Sequence, residues 1–174
     1  MKGEKVLGFF RVAGMAMILP AALGAMQPQD RTAESRAKFA HQNDPIQKAK
    51  LLEQLGNAQF RQIQTEAGAG NLSVALEILR EYHEEAQACE KALDGTGRDP
   101  EKHPNGYKQL QISVRESLRR LDDVLVGLSG EEQKPFLEIR NNLDEMNRQL
   151  IHELFPRRPE NQPTPAPEPA KPKS

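Results

Sequence analysis

The chain has 174 residues, with 24 lysines and arginines against 25 aspartates and glutamates and a formal net charge of −1. This near balance argues against a general nucleic-acid-binding protein, which would carry a large basic excess. The single cysteine excludes an internal disulfide as well as cysteine-rich zinc and iron–sulfur sites. Few aromatic residues and many strong helix formers indicate an all-α protein.

Residues 1–24 have the layout of a secretory signal peptide. Lys2 and Lys5 form a basic start, a short apolar run follows, and small residues after it predict cleavage before Ala25. An uncleaved membrane anchor is the alternative, because residues 6–25 contain only one charge. The sequence thus predicts an exported protein, periplasmic or extracellular, that touches a membrane only if this segment is retained.

The two segments that flank the expected domain are polar. Residues 25–43 show no sustained hydrophobic period and predict a flexible lead-in. Residues 156–174 contain seven prolines, which remove backbone donors and favour extended geometry, so they predict a disordered tail. Residues 44–155 remain as one helical domain.

Four helices are expected in this domain, because apolar residues recur there at spacings of three and four. Asp44 and Pro45 are a typical helix start, and the first helix runs to about Ala67. The next two helices cover about 72–94 and 106–127. The predicted core residues are Leu52, Leu55, Phe60, Ile63, Ala67, Ala75, Leu79, Tyr82, Ala86, Cys89, Leu93, Tyr107, Leu110, Val114, Leu118, Leu121, Leu125, Leu128, Phe136, Ile139, Leu143, Met146, Leu150 and Leu154.

The fourth helix has two alternative starting points. Ser129 and Glu132 have the spacing of a capping box, which places the start directly after Ser129. Pro135 conflicts with an unbroken helix from there, since it cannot donate a hydrogen bond to Glu131. Either the first turn is kinked, or the main helix begins at Lys134.

The lengths of the connections predict the topology. Short loops join the first helix to the second and the third to the fourth, which makes two antiparallel hairpins. A longer loop, residues 94–106, links the hairpins. We predict an antiparallel up-down four-helix bundle made of these two hairpins. An open pair of hairpins that completes its core by forming a homodimer is the alternative.

Motifs that carry catalysis or cofactors are absent from the sequence. There is no nucleophile elbow, phosphate loop or dinucleotide fingerprint. The histidines show no metal-binding pair spacing, and neither Glu81 nor Glu84 is followed by histidine three residues later, as carboxylate-rich bundles require. We therefore expect no enzyme, metal site or cofactor. The four histidines are His41, His83, His103 and His152.

Cys89 lies on the apolar face of the second helix. We interpret it as a small buried hydrophobic residue. The alternatives, a thiol that cross-links two copies or a redox sensor, both require exposure.

The candidate partner-docking residues are Arg115, Arg119 and Arg120 on the third helix. They form a local basic cluster, and an acidic counterpart runs from Glu77 to Glu85 on the second helix. One interpretation is a solvated surface whose charges pair within the chain. The other is a docking face for a charged partner protein.

The leading functional prediction is a small exported, non-catalytic interaction or scaffold module in the cell envelope. The alternative is a periplasmic chaperone or stress-sensing protein with an exposed apolar groove. For this alternative, residues 128–133 (LSGEEQ) are similar to the LTxEQ-type signature of small periplasmic helical chaperones and metal-stress proteins. The signature occurs once here and twice in that family, and no functional residue is carried over.

Overall fold

A computed structural model of the protein describes residues 28–156, with side chains from residue 32 onward. The signal-peptide prediction, and all of the predicted tail beyond Pro156, lie outside the described residues. Across 28–156, no helix combines the length and the apolar character that crossing a membrane requires. The described chain forms five helices: α1 Pro28–His41, α2 Pro45–Gly68, α3 Leu72–Asp94, α4 Tyr107–Val126 and α5 Gly130–Leu154.

Helices α2 to α5 confirm the four predicted helices, but α1 was not predicted. It occupies most of the segment that the sequence analysis interpreted as a flexible lead-in, and it packs along α2. Its apolar pattern is weak because, of its residues from 32 onward, only Thr32 and Phe39 are buried. The prediction of four helices is therefore corrected to five.

The core of the protein lies between α2, α3, α4 and α5. Every predicted core residue of α3 and α5 is buried. The predicted core residues of α2, of α4 and of the turn after α4 are also buried, except Ala67 and Leu128. These two are half-buried and pack against the core from helix ends. The spacing of three and four therefore identified the inward face of all four helices.

The two helical hairpins lie side by side. A Cβ atom at Gly106, before α4, would lie 3.3 Å from Cγ1 of Ile46 at the start of α2. At the other end, Gly68 of α2 and Gly127 after α4 line a common cleft. Neighbouring α2 and α4 therefore run in the same direction. The all-helical class is confirmed, but a bundle in which every neighbouring pair is antiparallel is not.

Helix α5 begins at Gly130, and Pro135 lies inside it. The capping box is present, since the backbone N–H of Ser129 donates to Oε2 of Glu132 at 2.9 Å. The alternative start at Lys134 is therefore wrong. Pro135 is tolerated because it lies in the second turn, where the exposed chain leaves the carbonyl of Glu131 open to water.

Candidate interaction surface

The structure divides the three predicted docking arginines into two groups. Arg115 and Arg119 are exposed and lie one turn apart on the outer face of α4. Arg120 is rotated by about 100° from Arg119, as successive helical residues are. It is half-buried and lines a cleft between α2 and α4. The predicted cluster is therefore an exposed pair plus one residue that faces another helix.

Ion pairing distinguishes the arginines of α4 from those of α3 and α5. Each arginine of α3 and α5 has a carboxylate partner: Arg80 with Glu77 at 3.8 Å, Arg140 with Asp122 at 2.6 Å, and Arg148 with Asp144 at 3.0 Å. Among residues 32–156, none of the three arginines of α4 has a carboxylate oxygen within 4.0 Å.

Asp122 explains part of this difference. It follows Arg119 on α4 and could have neutralised this face, but Arg140 of α5 binds it instead. Val126 continues the face, because it lies seven residues after Arg119, and 87% of its side chain is exposed. We name Arg115, Arg119 and Val126 the α4 outer face. It presents two cations and one apolar side chain to solvent, with exposed Asp122 and Asp123 beside them.

The cleft beside Arg120 has a volume of about 160 Å³ and is built around Tyr82. Gly56 of α2 makes room for this ring, since a Cβ atom there would lie 2.8 Å from Cε2 of Tyr82. The phenol donates a hydrogen bond to the carbonyl oxygen of Ser113 at 3.3 Å. Burial raises the pKa of Tyr82 far above its ordinary value, so the phenol stays protonated. These contacts assign Tyr82 a structural role between three helices.

The rim of this cleft carries charges of both signs. Glu53, Glu116 and Arg120 line it together with Asn57. The hydroxyl of Ser113 is closed off from solvent and has no hydrogen-bond partner among the described residues. The mixed rim selects neither an anion nor a cation.

The acidic residues of α3 are partly covered, because α1 lies against them. Arg36 of α1 forms ion pairs with Glu81 and, at 3.6 Å, with Glu85. The amide nitrogen of Gln59 donates to Glu85 at 2.8 Å. Burial raises the pKa of Glu85, while its bonds with Gln59 and Arg36 act in the opposite direction. Sequence reasoning missed this polar contact because it did not identify α1.

The exposed large apolar side chains do not form one surface. Val126 ends α4, Val74 lies near the start of α3 and Leu137 lies in the first half of α5, whereas Ile151 and Phe155 lie at the far end of α5. A helix rises about 1.5 Å per residue, so Ile151 is roughly 30 Å from the start of α5. The chaperone alternative therefore gains no single apolar groove from residues 32–156.

The interpretation of Cys89 as a small buried hydrophobic residue is confirmed. It is buried, and burial raises the pKa of its thiol to about 12. A protonated, inaccessible thiol is neither a nucleophile nor a metal ligand. The alternatives that required exposure are therefore wrong for this conformation.

Among residues 32–156, the titratable side chains are not gathered into a catalytic or metal-binding cluster. Burial lowers the pKa of half-buried His83, and neighbouring Glu84 partly opposes the shift. Within the described part of the chain, no three histidine, cysteine, aspartate or glutamate side chains converge as a metal-binding group.

In comparisons with known proteins, no family model, no curated protein and no solved structure matches this chain.

Proposed function

We propose that this protein is an exported, non-catalytic interaction module whose α4 outer face binds an acidic partner protein. One observation carries the proposal: Arg115 and Arg119 are exposed without a carboxylate partner, whereas the arginines of α3 and α5 are neutralised within the fold. A guanidinium group binds a carboxylate through two parallel hydrogen bonds, so two of them one turn apart fit acidic side chains at a similar spacing.

The arginines and Val126 have different roles in such an interface. An exposed ion pair stabilises a complex by only about 0.2–1 kcal/mol, so the two arginines mainly orient the partner and speed its association. Burial of Val126, which is 87% exposed, supplies an apolar contact at one end of the face. We therefore expect a partner with an acidic surface beside a small apolar pocket.

Export is the second part of the proposal, and it is supported by the layout of residues 1–24. The test is the mass of the intact chain recovered from the envelope fraction of cells that produce it. A chain that begins near Ala25 would support export with cleavage, and a chain of full mass in the cytosolic fraction would contradict it.

The docking surface is tested with a photo-crosslinking amino acid at Lys108. This residue is exposed and lies seven residues before Arg115, on the same side of α4. We expect a crosslinked adduct with one partner in wild-type cells and its loss in the R115E/R119E variant. Absence of any adduct in wild-type cells would contradict the proposal.

The matched control is the K50E/R61E variant. Lys50 and Arg61 are exposed cations of α2 that form no ion pair with any residue from 32 to 156, and the change in net charge is the same. We expect this variant to keep the adduct. Loss of the adduct in both variants would mean that overall charge, rather than the α4 outer face, attracts the partner.

A further inference from the structure

Helix α1 is attached to the other helices by few side chains. Of its residues 32–41, Thr32 and Phe39 are buried, and Arg36 lies between them on the same side of the helix. The ring of Phe39 packs below the ammonium group of Lys48, which lies 4.8 Å from the ring centre. Within residues 32–41, α1 is therefore attached through buried Thr32, through the cation of Arg36 and through the ring of Phe39.

The surface beneath α1 lies between α2 and α3, and α1 fills it incompletely. Two open clefts, of about 340 Å³ and 260 Å³, lie between α1 and α3 on either side of Arg36. We name this surface the α1 groove and define it by Gln59, Ile78, Glu81 and Glu85. An occupant with larger side chains would bury more of the groove than α1 does.

The polar groups of the groove are also incompletely satisfied. Gln59 is fully buried, and its oxygen has no hydrogen-bond donor among the described residues. Arg36 approaches Glu85 only to 3.6 Å, and burial still raises the pKa of that carboxyl group. A buried acceptor without a donor is costly, so an occupant that supplies a donor and a closer cation would bind better than α1.

Helix α1 can leave this groove without disturbing the start of α2. The first turn of α2 is capped by Asp44, whose carboxylate accepts a hydrogen bond from the backbone N–H of Gln47 at 2.8 Å. This cap belongs to α2 itself. A helix of 14 residues is also marginal in water without tertiary contacts. Undocking of α1 therefore leaves this cap of α2 in place, and we expect the bundle of α2 to α5 to stay folded.

We propose that the α1 groove is a second docking site, which takes a basic amphipathic helix of a partner protein in place of α1. The charge of the groove favours this occupant, because Glu81 and Glu85 line it and exposed Glu77 and Glu84 lie beside them. This charge is opposite to that of the α4 outer face, so the two surfaces bind different segments. Since α1 is tethered to the groove, it competes at high effective concentration and sets the affinity that a partner must exceed.

The test uses a fluorescein-labelled peptide with the sequence of residues 28–41 as the probe and the full chain as the receptor. In the R36A/F39A variant, α1 lacks the ion pairs of Arg36 and the buried ring of Phe39, so we expect it to compete much more weakly. We expect fluorescence anisotropy to show binding to this variant that is at least about tenfold tighter than binding to the wild-type chain. Equal binding to the two chains, or binding to neither, would overturn the proposal.

Two controls make the result specific. A K38A chain should exclude the peptide as the wild type does, because among residues 32–156 Lys38 pairs only with Glu34 of α1 itself. A peptide that itself carries R36A and F39A should bind neither chain; if it binds as well as the wild-type peptide, the cation and the ring are not what the groove recognises. Circular dichroism checks that R36A/F39A keeps a cooperative transition, and the R36A chain replaces it as receptor if it does not.

Discussion

Two regions of this molecule are held together by different forces. Helices α2 to α5 meet through side chains that are sealed from water, such as Leu52, Leu79 and Leu121. Each such side chain stabilises the fold by about 1.5–3 kcal/mol. Among the described side chains of α1, only Thr32 and Phe39 are buried, and Arg36 forms an ion pair with Glu81 in which the two side chains are 41% and 39% exposed.

An exposed ion pair contributes only about 0.2–1 kcal/mol. The bundle should therefore unfold as one cooperative unit, while α1 opens at much lower cost. We therefore expect α1 to be part of the structure without being part of its cooperative core.

The largest effect is expected from a cavity in the bundle. Leu121→Ala removes a fully buried side chain of α4 and should lower the free energy of unfolding by about 2–5 kcal/mol in urea titrations. The control is Val126→Ala on the same helix, where 87% exposure predicts a change within about 0.5 kcal/mol. Similar losses in both variants would mean that the assigned core face is wrong.

A smaller effect is expected from crowding the contact between α2 and α3. Gly56→Ala places a Cβ atom 2.8 Å from the buried ring of Tyr82, so overpacking should outweigh the gain in helix propensity and cost about 1–2 kcal/mol net. Gly68→Ala in the same helix meets nothing within 4 Å and should be nearly neutral. If thermal unfolding shows that Gly56→Ala is as stable as Gly68→Ala, the ring of Tyr82 can move aside and the expected overpacking is wrong.

Removing the ion pairs between α1 and α3 should loosen α1 without destabilising the bundle. Arg36→Ala should increase chymotrypsin cleavage after Phe39, because the ring becomes accessible only when α1 leaves the groove. The urea midpoint of the bundle should change little. Lys38→Ala, which breaks only a pair within α1, should leave the cleavage rate as it is in the wild type. Equal acceleration in both variants would contradict the role of Arg36.

The smallest effect concerns pH. The pKa of Glu85 is raised in the folded state, chiefly by burial, so its contribution to stability is full below the unfolded value and is lost as pH rises through the folded value. The stability of the wild type relative to Glu85→Gln should therefore decrease as pH increases over that range. The exposed neighbour provides the control, because Glu84→Gln should keep the wild-type profile. A relative stability that increases with pH would contradict the assigned direction.

How much of the fold the sequence predicts depends on the kind of contact. Helix α3 was predictable because its inward residues, from Ala75 to Leu93, recur at spacings of three and four and all are buried. Helix α1 has no such pattern. Its main polar partner, Glu81, lies 45 residues away from Arg36 along the chain, and no local rule connects them.

The arrangement of the α4 arginines was likewise only partly predictable from the sequence. Helical geometry alone predicts that Arg120 faces away from Arg115, since the two are five residues apart. Asp122, three residues after Arg119, is bound instead by Arg140 from a different helix. A rule for pairs within one helix does not describe this contact. The role of Tyr82 had one sequence signal, a glycine in the middle of α2 at Gly56.

Hydrogen exchange of the wild-type chain, followed helix by helix by mass spectrometry, tests most directly whether α1 and the bundle are separate units. We expect the amides of α1 to exchange through a local opening of low free-energy cost, and the amides of α3 and α4 to exchange only when the bundle unfolds. If α1 is protected as strongly as α3 and loses its protection only with global unfolding, the helix is an integral part of the core and the account is wrong.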